Sequence, residues 1–144
     1  MFRISLIAAV IITAILGASR PLAQTTSGSG GTVFVAYYWR AKPGQMDAYN
    51  NYIKTVAEPI DEDARRAGVF EEVRTVMPAP GTTTDWTHLR VFRLKNAAAA
   101  EAMAAGLDAA TARVVPDEAR RKANTERAAT LRDLVRREVW HELK

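Results

Sequence analysis

The sequence predicts an α+β domain, one antiparallel sheet with helices on one face, and three observations predict it. The stretch Thr32 to Trp39 is β-branched and aromatic, and apolar at both alternating sets of positions, so it reads as a strand covered on both faces. From Met46 the apolar residues fall at Met46, Tyr49, Ile53, Val56, Ile60 and Ala64, steps of three and four that mark one helix face. Two further stretches, Val69 to Met77 and Trp86 to Leu94, alternate and flank a Pro-, Gly- and Thr-rich loop, the pattern of paired strands. Helices on one face of a sheet whose first strand is apolar on both imply a second covering layer.

The 144 residues make one folded domain behind an export leader. Met1-Phe2-Arg3 is a short positive start, Ile4 to Ala18 is apolar but for Ser5 and Thr13, and Ser19 to Ala23 is more polar and ends small. This is the build of a secretory signal peptide over residues 1–23, since a membrane span needs about 20 apolar residues. Cleavage after Ala23 is expected, with cleavage after Ala18 and an uncleaved anchor as alternatives. Residues 24–31 form a flexible polar leader, and 32–144 the domain. The mature protein is therefore expected to be secreted or periplasmic, with no membrane association once the signal is gone. Removing residues 1–23 takes away Arg3 and Arg20, which lowers the formal charge from +4 to about +2, too mild to imply an acidic partner. There is no cysteine, so stability rests on packing, and thiol chemistry is excluded.

The elements follow in order. The first strand, Val33 to Arg40, ends at the turn Lys42-Pro43-Gly44. A helix begins near Gly44 or Gln45. Pro59 lacks a backbone donor, so it either kinks this helix or starts a new one. Asp61 and Glu62 then occupy a first turn, where negative charge suits the dipole, and each stands four residues ahead of an arginine, Arg65 and Arg66. Gly68 caps the helix in the left-handed region. After the second and third strands, Asn96 caps a helix from Ala97 to about Arg113, whose inner face is small: Ala99, Met103, Gly106 or Leu107, and Ala110. Pro116 opens a third helix with Asp117 and Glu118 in its first turn. The stretch Leu131 to Leu143 fits a strand or a helix. Val135, Val139 and Trp140 favour the strand, which would set Leu131, Val135, Arg137, Val139, His141 and Leu143 on one face.

The resulting order, β-α-β-β-α-(α)-β, is the split βαβ pattern of the ferredoxin-like fold, with the first and third strands central. The uncovered face is most economically covered by the same face of a second copy, so a homodimer is expected. The strand from Val33, the Lys42-Pro43-Gly44 turn and the inward aromatic Tyr49 together resemble the dimeric α/β-barrel superfamily. That group includes antibiotic-biosynthesis-monooxygenase-like, NIPSNAP-like and stress-responsive barrel proteins. The resemblance covers about Thr32 to Leu143. It implies two sheets facing each other across a dimer, and a small pocket between sheet and helices in each subunit. Some members oxidise or isomerise small apolar molecules without a metal, and some degrade haem. The cofactor-free oxygenases use an Asn, Trp and His set, and no motif of this chain aligns with it.

Absences narrow the chemistry. No serine follows Ser29 and no cysteine is present, which removes serine and cysteine nucleophiles from the domain. The two histidines, His88 and His141, lie far apart, with no metal-ligand spacing, and no glycine motif for a nucleotide follows a strand. No metal and no cofactor are therefore expected. The Arg120-Arg121-Lys122 and Arg136-Arg137 runs are interleaved with acidic residues and have no aromatic platform, so nucleic acid is not an expected partner.

Trp86-Thr87-His88-Leu89-Arg90 is the strongest candidate for chemistry. A period of two sets Trp86, His88 and Arg90 on one face, where an aromatic wall, a group titrating near neutrality and a fixed cation could hold an anionic aromatic or enolate-like ligand. His88 and Arg90 are the candidate catalytic residues. Tyr37, Trp39, Trp86 and His141 are the candidate ligand contacts. The plainer alternative has Trp86 packing at the strand entry, His88 as a satisfied polar residue, and Arg90 paired with Glu71 or Glu138. Three functions follow: an exported dimeric barrel that binds a small apolar or aromatic molecule, a cofactor-free oxygenase or isomerase with His88 as base, and an interaction module without a ligand.

Overall fold

The structure, a computed structural model, describes residues 30–143. The expected signal peptide and most of the leader lie outside these residues. Four strands form one antiparallel sheet in the order β2-β3-β1-β4. β1 (Val33–Ala41) is central and pairs with β3 (His88–Leu94) on one side and β4 (Arg132–His141) on the other, while β2 (Glu72–Val76) pairs with β3 at the edge. The first and third strands are central, as their sequences predict, and the C-terminal stretch is a strand.

The helices lie on one face. Gly44, at φ +73°, allows the turn after β1, and the Gln45 N–H donates to the Lys42 carbonyl at 2.9 Å. α1 (Met46–Tyr52) runs through a π-helical turn at Ile53–Ala57 into α2 (Glu58–Arg66). Pro59 stands second in α2, one residue after the start of that element, and the chain stays helical through it. The wider turn just ahead of it absorbs the proline, and the Glu58 N–H bonds to the Ile53 carbonyl five residues back. Gly68, at φ +76°, ends α2 as expected. α3 (Ala97–Val114) starts under the Asn96 cap, whose side chain accepts from the Ala99 N–H at 2.9 Å. It approaches the segment that follows α2 closely at Gly106, where a Cβ would come within 2.6 Å of a Val69 methyl. α4 (Glu118–Leu131) starts two residues later than the predicted Pro116, because Asp117 caps it instead of entering it.

Register separates the faces. Val33, Val35, Tyr37 and Trp39 stand beside Leu94, Phe92, Arg90 and His88 and face the helices. Val35, Phe92 and Leu94 pack there with Ala64, Phe70, Met103 and Ala110, and a second cluster gathers Tyr49, Tyr52, Ile53 and Leu131. The opposite face carries Phe34, Ala36, Tyr38, Leu89, Val91 and Trp140, with Val76 45% and Trp140 41% exposed. None of the helices packs on it.

Three local expectations change. β3 begins at His88 instead of Trp86, because the Thr87 hydroxyl substitutes for a ladder carbonyl and accepts from the Ala41 N–H at 2.8 Å. β2 begins at Glu72, since Val69 closes the α2 cap by donating to the Ala64 carbonyl. In β4 the pairing with β1 shifts between Tyr38 and Trp39, leaving Val135 as an extra residue, a β-bulge. The bulge reverses the side-chain alternation. Arg137, Val139 and His141 share one face as predicted, and it is the helix side, but from there toward the start of the strand the same side is held by Leu134 and Arg132. Leu131 ends α4, and Leu143 lies beyond the strand.

Candidate functional site

The helices do not close completely over their face of the sheet. Between the two apolar clusters a cavity of about 290 Å³ remains, walled by Tyr37 and Trp39 of β1, Arg90 of β3, Arg132 of β4, Ile60 and Asp61 of α2, and Leu107 and Thr111 of α3. That volume is at the small end of ligand pockets, which run from about 300 to 1,000 Å³. The aromatic wall is continuous: the Tyr37 and Trp39 rings lie nearly parallel, 6.3 Å between centroids.

Arg90 and Asp61 form a buried ion pair, with 7% and 6% of their surfaces exposed. The Arg90 Nη2 donates to Asp61 Oδ2, and its Nε donates to Thr75 Oγ1 at 3.1 Å. Asp61 thus does not take up Arg65 four residues on. Arg65 bonds Glu62 instead, and Arg90 pairs with neither Glu71 nor Glu138. Burial pushes the Asp61 carboxyl above its ordinary value, against the opposing pull of Arg90.

Arg132 is placed by the β4 bulge. Its guanidinium lies 3.7 Å from the centre of the Trp39 ring, and Nη1 donates to the Tyr49 hydroxyl at 2.8 Å. Burial raises the Tyr49 hydroxyl, and Arg132 draws it partly back. Arg132 makes no salt bridge among the described residues. It is a cavity-wall cation with most of its donors unused.

His88 sits two residues from Arg90 on the same face, but it is 1% exposed and outside the cavity wall. Its Nε2 lies 2.8 Å from Asn50 Oδ1, and its Nδ1 lies 2.8 Å from the Thr87 hydroxyl. The Asn50 oxygen only accepts, so Nε2 carries the proton and Nδ1 accepts from Thr87, a neutral ring with both nitrogens occupied. Burial, then the positive charges of Arg132 and Arg90, hold it below its usual pKa. Tyr49 packs edge-on over it, 4.5 Å between ring centres. His88 thereby ties α1 to the sheet.

Of the residues singled out by sequence, the cavity gathers Tyr37, Trp39 and Arg90. Trp86 precedes the regular strand and packs edge-on against Tyr38 on the opposite face, so it does not share a wall with His88 and Arg90. His141 lies opposite Val33 at the exposed end of β4, away from the cavity. Asp61 and Arg132 are the cavity-wall residues that sequence reasoning missed. Asp61 had a readable signal, an acid set between Ile60 and Ala64 of the apolar stripe. Arg132 had none, because regular alternation assigns it to the other face.

No protein-family model matches the chain, and no curated protein matches it. Among solved structures it is similar to HapK from Hahella chejuensis, at a TM-score of 0.52 and 13% identity over 77% of this chain and 92% of that one. It is also similar to a NIPSNAP family protein with unknown function from Agrobacterium tumefaciens, at a TM-score of 0.51 and 11% identity over 79% of this chain and 90% of that one. At such identities the likeness is one of fold. Strand order, one-sided helices and these likenesses agree: the chain has a ferredoxin-like fold.

Proposed function

We propose that the protein is an exported homodimer in which each protomer binds a small, partly apolar anion between sheet and helices. Arg132 carries the ligand reading. A guanidinium stacked on Trp39 at the edge of a cavity, with no carboxylate partner among the described residues, presents a fork of donors to a carboxylate or enolate. Tyr37, Trp39, Ile60 and Leu107 supply apolar wall for the rest of the molecule. Arg90 adds no net charge, because Asp61 neutralises it.

Dimerisation is supported by the helix-free face. Phe34, Ala36, Val91 and Trp140 form an apolar centre, and Glu72, Arg74, Arg93, Arg136 and Glu138 supply both signs of charge around it. A surface that is apolar at its centre and mixed in charge at its rim is self-complementary across a two-fold axis. Export is supported by the composition of residues 1–23.

Native mass spectrometry of the protein purified from its own compartment tests all three parts. The expected species is two chains, each beginning after Ala23 or Ala18, with a small acidic adduct. A bare monomer with its first residues intact overturns the proposal. A bare dimer retains the assembly and favours an interaction module without a ligand.

A further inference from the structure

The anion site leaves one buried group unused. Asp61 is more than nine-tenths buried, yet only its Oδ2 is engaged, by Arg90; no hydrogen bond among the described residues reaches Oδ1. That oxygen is not sealed off, because no fully enclosed side-chain polar atom in the described structure lacks a partner. Asp61 lines the cavity that Arg132 also lines. It and Arg90 also separate this cavity from a second hollow lined by Glu58, Glu62 and Arg65. A carboxylate with one oxygen anchored and the other accessible, in a site with a free cation and apolar walls, is arranged to exchange a proton with a bound carbon acid.

We infer that Asp61 is the acid–base residue of a proton-transfer activity on small aromatic 2-oxo acids. The inference rests on the anion-site reading. The substrate carboxylate and the neighbouring carbonyl oxygen together meet the donor edge of Arg132, and the ring lies along Tyr37 and Trp39. Asp61 Oδ1 takes a proton from the carbon next to the carbonyl. The C–H bonding pair becomes the new C=C bond, and the carbonyl π pair moves to oxygen, where Arg132 balances the developing charge. Asp61 then returns the proton to oxygen, giving the enol, or to carbon, giving the starting acid. The step consumes no oxidant and needs no second reactant. The charged groups around Asp61 are Arg90 from β3, Arg132 from β4, and Glu58, Glu62 and Arg65 from its own helix. α3 offers only Leu107 and Thr111, whose hydroxyl already donates to the Leu107 carbonyl at 2.8 Å.

Phenylpyruvate is a direct probe. Its binding is read by calorimetry, and exchange of its C3 hydrogens in D₂O by proton NMR. The wild-type protein is expected to bind it and to speed exchange by about a hundredfold over buffer. The rate should rise with pH through a midpoint above the ordinary aspartate range, a dependence that a purely structural carboxylate would not confer. Asp61→Asn should lose the acceleration and retain binding. Because the single change disturbs an ion pair, the double variant D61N/R90M, which removes both charges, should give the same result in a folded protein. Binding without acceleration, or acceleration that survives in either variant, overturns the inference and leaves the anion site standing. No binding overturns both.

Discussion

His88 and Arg90 stand two residues apart on one strand, point the same way and are both buried, yet their surroundings differ in kind. Around His88 every polar atom is spent: Asn50 takes one nitrogen, Thr87 the other, and Tyr49 covers the ring. Around Arg90 the chain leaves a cavity, an aspartate with one oxygen free, and Arg132 with unused donors. A buried polar residue marks a site only where hydrogen-bonding capacity is left over and space adjoins it. The histidine near neutrality, the more conspicuous residue in the sequence, belongs to the closed region.

The sharpest way to break this comparison is to unpair the charged region. Arg90→Ala leaves the Asp61 carboxylate buried without its partner and should lower unfolding stability by about 3–5 kcal/mol in urea titration, while D61N/R90M should lie close to wild type. A small loss in the single variant would mean that water reaches the pair freely.

The closed region should answer with stability alone. Asn50→Ala removes the acceptor for the His88 Nε2 proton and should lower stability by about 1–3 kcal/mol without changing ligand affinity. An affinity change would place His88 in the site.

Opposite pH slopes sharpen the contrast further. His88 is held below its ordinary value, so the unfolded chain takes up a proton that the folded one refuses. Its stabilising contribution is present above about 6.5 and is lost as pH falls below it. Asp61 is held above its ordinary value, so its contribution is greatest at acid pH and declines as pH rises through the interval from about 3.9 to its folded value. In urea midpoints measured across pH, His88→Gln should flatten the first slope and Asp61→Asn the second. A slope unchanged by its own variant would break the assignment.

The smallest stability effect is expected at Arg132. Arg132→Met keeps an aliphatic stem over Trp39 but removes the donor to the buried Tyr49 hydroxyl, and should lower stability by about 1 kcal/mol. It should weaken anion binding by about tenfold or more, the loss of one charge-assisted bond. Unchanged affinity for phenylpyruvate would remove Arg132 from the site.

Much of the frame was legible along the chain. The doubly apolar Thr32 to Trp39 stretch announced a central strand, Asn96 and Gly68 marked helix ends, and the paired alternating runs marked a hairpin. Tyr37, Trp39 and Arg90 share the cavity wall because a regular strand puts every second residue on one face. The same rule misplaced Trp86, where Thr87 takes over the ladder with its hydroxyl, and hid Arg132 behind the Val135 bulge.

Those cases divide what sequence alone determines here from what tertiary structure decides. Sequence determined the elements, their order and their apolar faces, because caps, turns and periodicity act over a few residues and carry their own energetic preference. Tertiary structure decided which cation Asp61 pairs with, which side Trp86 takes, and where β4 slips against β1. Each is a competition between partners distant in the chain, with outcomes close in local energy, and only the packed sheet and helices select among them.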